Sequence, residues 1–276
     1  MQLKRRLLTA AVLIPTVIWC VLSLPTEIIA ALFALIVLAG AWEWSRLIPL
    51  FSLWTRTIYV VLMLPVLWWF WRVGLGPETE TAKTVLLVAC GWWIFALAWV
   101  FNPDTGSRTG PLIGLGKGLA GMLTLIPAWL SLWVLHGSVP HGPLLVLCLF
   151  AVVWAADSAA FVVGSRWGRR RLAGKVSPSK TWAGVIGGLA AGVIGGLLAG
   201  WLMGWSGMQL IQFGCICLVA VLFSVVGDLT ESLLKRHRGL KDSGHLLPGH
   251  GGILDRIDSL TAAAPVFLLG VLWTDL

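Results

Sequence analysis

Charged residues are scarce in this sequence: Asp, Glu, Lys and Arg make up only 12% of its 276 residues. An average soluble domain is about 25% charged and about 45–50% apolar, whereas 58% of this chain is hydrophobic. A soluble fold of this size has too little interior for so much apolar surface. These proportions exclude a soluble globular enzyme, a disordered tail and a nucleic-acid-binding domain. They predict an integral membrane protein.

Cysteine is also sparse, with five residues that all lie in apolar stretches. Cys215 and Cys217 would lie about 200° apart around a helix, so they could not both face one metal ion. The cysteine pattern therefore argues against a zinc site and against a disulfide framework. The sequence also lacks an obvious Ser-His-Asp or Cys-His arrangement. It has no long-period repeat, and this absence weakens transporter folds that are built from repeats.

Long apolar runs dominate what is present. Because these runs are continuous and do not alternate, they favour helices over a barrel. About 20 apolar residues span a bilayer, so we predict an all-α polytopic membrane protein with about nine transmembrane helices. The predicted spans are 7–24, 27–44, 57–72, 84–101, 118–136, 143–164, 182–204, 209–229 and 259–274.

The basic residues predict the orientation of these spans. If the N-terminus is cytoplasmic and nine spans alternate, 18 of the 20 Lys and Arg residues fall on the cytoplasmic side. Such a bias is typical of membrane proteins, and here only Arg72 and Lys83 fall outside. The C-terminus is then external. This topology explains most of the net charge of +8.

Two predicted cytoplasmic loops, 165–181 and 228–258, hold half of the 32 charged residues. Asp228 ends an apolar span, where a carboxylate is costly without a partner. Asp255 and Asp258 are three residues apart and so lie on one face of a helix. The three aspartates could converge on Mg²⁺ or Mn²⁺, which prefer oxygen ligands. Ordinary helix caps and ion pairs are the alternative.

Basic and small residues surround these aspartates, and the mixture suits a site for phosphate and metal. The basic residues are Lys235, Arg236, Lys241 and Arg256. Gly251 and Gly252 precede the helix of Asp255, where backbone N–H groups can approach phosphate, although a plain turn fits equally well. His250 lies between glycines, and we expect it to have a role in the site.

The first loop ends in two hydroxyl residues and a lysine just before a span: Ser177, Lys180 and Thr181. Such groups can bind triphosphate oxygens. An ordinary helix start with an interfacial lysine is the alternative.

The chain resembles the phosphatidate cytidylyltransferases (CDP-diacylglycerol synthases). Their signature is matched by SLLKR at 232–236, KDSGH at 241–245 and PGHGGILDRID at 248–258. A second family segment is matched by DSAAFVVG at 157–164 and SPSKTW at 177–182. The resemblance covers the C-terminal half by motif and the N-terminal half by hydropathy alone. One departure is Ala183, which stands where the family usually has Glu.

The resemblance implies that CTP and phosphatidic acid react to give CDP-diacylglycerol and pyrophosphate. It implies a Mg²⁺-dependent enzyme whose metal ligands are Asp228, Asp255 and Asp258, and leaves the number of metal ions open. Lys241 and Arg256 join these aspartates as expected catalytic residues. The remaining expected substrate-binding residues are Asp157, Ser177, Lys180, Thr181, Lys235, Arg236, Asp242, His250, Gly251 and Gly252.

The resemblance also implies a homodimer in a bilayer, and we expect a bacterial inner membrane with the active site facing the cytoplasm. We divide the chain into N-terminal helices, 1–140, and a catalytic transmembrane region, 141–276. A cation-coupled transporter is disfavoured because few acids reach membrane depth. A related membrane nucleotidyltransferase or a CTP-dependent lipid kinase remains an alternative. A CDP-alcohol phosphotransferase fits poorly because its Asp-Gly-x-x-Ala-Arg pattern is missing.

Overall fold

A computed structural model describes residues 2–49, 52–73, 80–244, 246, 251–274 and 276, with side chains described from Ala11 onward. In these residues the chain forms nine α-helices and one two-stranded sheet. The helices are α1 Gln2–Ser23, α2 Thr26–Leu47, α3 Leu53–Val73, α4 Glu80–Phe101, α5 Pro111–Ser138, α6 Gly142–Trp167, α7 Trp182–Leu202, α8 Gly207–His237 and α9 Leu254–Thr274. The predicted helical membrane architecture is confirmed.

Eight of these helices, α2 to α9, are long and apolar enough to cross a membrane. In α1, the described part of the apolar stretch is Ala11–Ser23. Two residues that could have interrupted spans do not do so, because α2 continues through Glu43 and α3 through Pro65. The apolar runs therefore located each helix to within several residues.

The connections that follow α2, α4, α6 and α8 meet at one end of the bundle. Arg238 Nε donates to the carbonyl of Arg46 at 3.4 Å, and His237 Nε2 lies 2.7 Å from the carbonyl of Pro103. Lys175 Nζ lies 3.5 Å from Asp104 Oδ2. This meeting is what helices of alternating direction require. That the end faces the cytoplasm stays a prediction.

The described parts of the two polar loops contain more secondary structure than the sequence indicated. Helix α8 continues to His237, eight residues past the predicted end of the span at residue 229, and α9 begins at Leu254, so both ends of the predicted loop 228–258 are helical. Leu229 and Leu233 explain the longer α8, since they are buried against Val176 and Val100. In the first loop, strands β1 Arg171–Ala173 and β2 Ser177–Thr181 pair in an antiparallel hairpin.

Helix α7 packs through glycine. Its buried residues are Gly184, Gly188, Gly192, Gly196 and Gly200. A Cβ on Gly188 would lie 3.0 Å from the Ala156 carbonyl of α6, and one on Gly196 would meet Cys217 of α8. Because these glycines are four residues apart, they form a ridge along one face of α7 that allows helices to approach closely. The structure fills it with α6 and α8 of the same chain.

Candidate active site

A cavity of about 490 Å³ lies between α6, α7, α8, the start of α9 and the hairpin. Its charged lining residues are Asp157, Lys180, Asp228, Asp255 and Asp258. Ala156, Gly188 and Val221 also line it, two or more helical turns deeper in the bundle than the hairpin end. The cavity therefore combines an acidic region near the polar end with an apolar region at membrane depth.

Asp228 and Lys180 form an ion pair across this cavity. Lys180 is the fourth residue of β2, and its Nζ lies 2.5 Å from Asp228 Oδ2 on α8. Both side chains are about a quarter exposed, at 22% and 27%. Ser232, one helical turn after Asp228, donates its hydroxyl to Asp228 Oδ1 at 3.2 Å. The hairpin thus brings a cation to a carboxylate that the sequence placed 48 residues away.

Asp255 is held by a second lysine and by the backbone. Lys235 Nζ lies 2.6 Å from Asp255 Oδ1 and 3.1 Å from Glu231 Oε2. The amides of Ser243 and Gly252 donate to Asp255 Oδ2 at 3.1 and 2.9 Å. These three partners give the Asp255 carboxylate a defined position at the start of α9.

Asp258 lies one helical turn after Asp255, with Asp228 and Glu231 as charged neighbours. The structure therefore brings the three predicted aspartates to one cavity. Within the described part of the chain, no group of three or more His, Cys, Asp or Glu side chains is arranged to hold a metal ion. Lysines contact two of the three aspartates instead. The metal site stays a prediction.

The donor chemistry of the lining fits a divalent cation. Four aspartates and only one lysine are charged among the described lining residues. Carboxylate oxygens are the ligands that Mg²⁺ prefers. A cavity with this excess of negative charge favours a cation.

Several predicted site residues do not line this cavity. Lys235 is turned away, buried between Glu231 and Asp255. Arg236 donates to the carbonyls of Val176 and Leu240. The other predicted residues outside the lining are Ser177, Lys241, Asp242 and Arg256, of which the last three are exposed. His250 lies outside the described residues.

Two predicted phosphate contacts are used for local structure. The Gly252 amide donates to Asp255, and Gly251 has φ +82°, a conformation that favours glycine. Thr181 lines the cavity, but its hydroxyl accepts from the Gly184 amide at 3.2 Å as the N-cap of α7. In this structure, the Gly252 amide is therefore bonded in the turn before α9, and the Thr181 hydroxyl caps the start of α7.

Comparison with known proteins decides the family. The model of the cytidylyltransferase family matches residues 4–273. The chain belongs to the cytidylyltransferase family. It is 42% identical to the phosphatidate cytidylyltransferase of Pseudomonas aeruginosa over 274 residues, which cover 99% of this chain and 97% of that protein. The Haemophilus influenzae phosphatidate cytidylyltransferase is 37% identical over 284 residues, covering 96% and 97% of the two chains.

A more distant relative is the phosphatidate cytidylyltransferase of Thermotoga maritima, 33% identical over 271 residues that cover 96% of this chain and 94% of that one. The resemblance seen in the motifs is confirmed, and it extends through the N-terminal helices as well.

Two buried acids of this cytidylyltransferase, Glu43 and Glu231, have no role in the predictions made from the sequence. Glu231 lies three residues after Asp228 and four before Lys235, so all three share a face of α8. That spacing could have identified it, but the predicted span ended at residue 229. Glu43 lies inside an apolar run of α2, and an acid at such a place signals a partner.

Proposed function

We propose that this cytidylyltransferase forms CDP-diacylglycerol and pyrophosphate from CTP and phosphatidic acid. A phosphate oxygen of the lipid attacks the α-phosphorus of CTP, and the bond from that phosphorus to the pyrophosphate oxygen breaks. The lipid phosphate is already an anion, so the step needs no strong general base. Near-full-length similarity to phosphatidate cytidylyltransferases supports this proposal.

The observation that carries the proposal is the lining of the 490 Å³ cavity. Its acidic part lies beside the hairpin, and its apolar part reaches the depth of Ala156 and Val221. A lipid with a phosphate headgroup has the same division. Both substrates are polyanions, and four aspartates would repel them unless cations intervene.

We therefore propose that Asp228, Asp255 and Asp258 hold Mg²⁺, which would neutralise phosphate charge during the transfer. Lys180 is the charged residue of the lining best placed to contact the CTP phosphates, since it already reaches Asp228 from the hairpin. Asp157 and Thr181 also belong to the polar part of the lining.

The exposed bases near the cavity have a second proposed role. Arg236, Lys241 and Arg256 lie at the end of α8, in the connection and at the start of α9. Positive charge around a cavity raises the local concentration of anionic substrates. We propose that these residues attract the lipid phosphate and CTP and help pyrophosphate to leave.

We further propose that the polar end faces the cytoplasm of a bacterium, with the chain in its inner membrane. The bias of 18 basic residues toward that end supports this orientation. A homodimer is expected from the family. Because α6 and α8 fill the glycine ridge of α7, the dimer would use another surface.

Replacing Asp255 tests the metal assignment. We expect Asp255→Ala to lower CTP-dependent formation of CDP-diacylglycerol by at least about a hundredfold, the usual scale for losing an electrostatic contact to the reacting group. The measurement is product formation by purified protein with Mg²⁺ and phosphatidic acid. The control is Asp104→Ala, which removes an acid of the α4–α5 connection whose side chain is 90% exposed.

Substantial activity in Asp255→Ala would show that the metal assignment is wrong. Offering a polyprenol and a polyprenyl phosphate in place of phosphatidic acid separates the remaining alternatives. Preference for either of these acceptors would contradict the proposed substrate.

A further inference from the structure

Glu43 connects the N-terminal helices to the segment that leads into α9. Its side chain on α2 is only 1% exposed. Its Oε2 accepts from the Leu254 amide at 2.7 Å and from the Ser243 hydroxyl at 3.1 Å. Leu254 is the first residue of α9, so a carboxylate from α2 lies at the N-terminus of the helix that carries two site aspartates. This is where a helix favours negative charge.

Two glycines allow this close approach. A Cβ on Gly244 would meet the Glu43 carboxylate at Oε1, and a Cβ on Gly252 would meet it at Oε2. Gly244 and Gly252, on either side of the undescribed residues 245 and 247–250, are therefore packed directly on one buried acid. A side chain larger than hydrogen at either glycine would push the segment away from α2.

Ser243 links Glu43 to Asp255. Its hydroxyl donates to Glu43, and its amide donates to Asp255 Oδ2 at 3.1 Å. Its carbonyl accepts from Arg46 Nη1 at 3.2 Å. Arg46 lies one helical turn after Glu43 on α2. Ser243 therefore links α2 to the Asp255 carboxylate and helps to fix its position.

We propose that Glu43 is a positioning residue for Asp255 and Asp258, an inference that rests on the proposed function. A buried carboxylate is costly unless it is hydrogen-bonded. The hydrogen bonds from the Leu254 amide and the Ser243 hydroxyl therefore favour the arrangement in which both residues reach Glu43. Both aspartates occupy the first two turns of α9. Fixing the first residue of the helix therefore fixes both carboxylates.

The first test compares three variants of the full chain in detergent or in bilayer discs. Glu43→Ala is expected to lower kcat about tenfold to a hundredfold, since a displacement of about 1 Å at a reacting group costs up to about that much. KM for CTP is expected to change much less. Glu43→Gln is expected to recover most of kcat, because its amide oxygen can still accept from both the Leu254 amide and the Ser243 hydroxyl. Ser45→Ala, equally buried on α2 and without contact to the segment, is the control.

Hydrogen exchange gives a readout that does not depend on activity. The amides of Ser243, Gly252 and Leu254 are expected to exchange faster in Glu43→Ala and at the wild-type rate in Ser45→Ala. Wild-type kcat and exchange in Glu43→Ala would overturn the proposal, and so would equal losses of kcat in the Ala and Gln variants. If the wild-type protein makes no CDP-diacylglycerol, the proposed function fails, while the exchange rates still decide the positioning role.

Gly244→Ala keeps the proposal testable if Glu43→Ala does not fold. Its Cβ would meet the Glu43 carboxylate, so we expect lower kcat and faster exchange at Leu254 with Glu43 still present. Wild-type kcat and exchange in Gly244→Ala would overturn the proposal.

Discussion

Lys180 and Lys235 each contact a site aspartate, but their surroundings differ. Lys180 lies on the hairpin, 22% exposed and in the cavity lining. Lys235 is 10% exposed and lies between two carboxylates. A buried ammonium with two acidic partners is part of the packing, and removing it would leave uncompensated charge. Lys180 is therefore the lysine that is available to a substrate.

Lys180→Gln is predicted to lower the rate of CDP-diacylglycerol formation by at least about tenfold, since a cationic contact to the phosphates is lost. Lys175→Gln on the same hairpin is the matched control, because Lys175 pairs only with the exposed Asp104. The measurement is initial rate against CTP concentration. Equal rates in the two variants would contradict the role given to Lys180.

At this scale the sequence predicted the aspartates and not their partners. The end of an apolar span marks Asp228, the motif contains Asp255 and Asp258, and the cavity brings the three together. The pairing of Lys180 with Asp228 depends on where the hairpin folds back, which no local pattern of residues encodes. For the same reason Glu43, 211 residues before its partner Leu254, had no role.

Among the elements, α7 shows why position on a helix decides the effect of a substitution. Gly195 and Gly196 are adjacent, but a Cβ on Gly195 would lie 3.8 Å from Val152, an ordinary contact. A Cβ on Gly196 would overlap Cys217 of α8. The first glycine has space and the second has none.

Gly196→Ala is predicted to destabilise the protein by about 1–3 kcal/mol through overpacking. Gly195→Ala is predicted to be neutral or to stabilise by up to about 1 kcal/mol, because alanine favours helix over glycine. Thermal unfolding in detergent measures both. A lower Tm in Gly195→Ala than in Gly196→Ala would contradict the packing of α7 on α8.

Helix α8 shows a limit of prediction from hydropathy. The apolar run ends near Asp228, and the sequence therefore indicated a loop from that point. The helix continues to His237 because Leu229 and Leu233 face Val176 and Val100 in other elements. Charged residues on the remaining faces lower the average hydropathy without ending the helix.

At the scale of the whole molecule, successive helices alternate in direction. The connections after α2, α4, α6 and α8 meet at one end, where the cavity also lies. Helix α2 lies outside the cavity lining but contacts the first residue of α9 through Glu43. The division at residue 140 into N-terminal helices and a catalytic region stays a prediction.

The predicted orientation can be measured by thiol labelling. We expect Ser107→Cys, in the connection after α4, to be protected from a membrane-impermeant reagent in intact cells and labelled in inverted vesicles. His141→Cys, in the connection before α6, is expected to behave in the opposite way. Native cysteines lie within helices, so background labelling is low. The reverse pattern would show that the polar end is external.

By itself the sequence determined the membrane-spanning helices, their alternation and the family signature. These properties depend on local composition, because each span needs only enough apolar residues to cross a bilayer. Only the tertiary structure decided which lysine lines the cavity, that α7 packs within the chain, and that α2 reaches the start of α9. These contacts join residues far apart in the chain, and they form when helices pack at close distance.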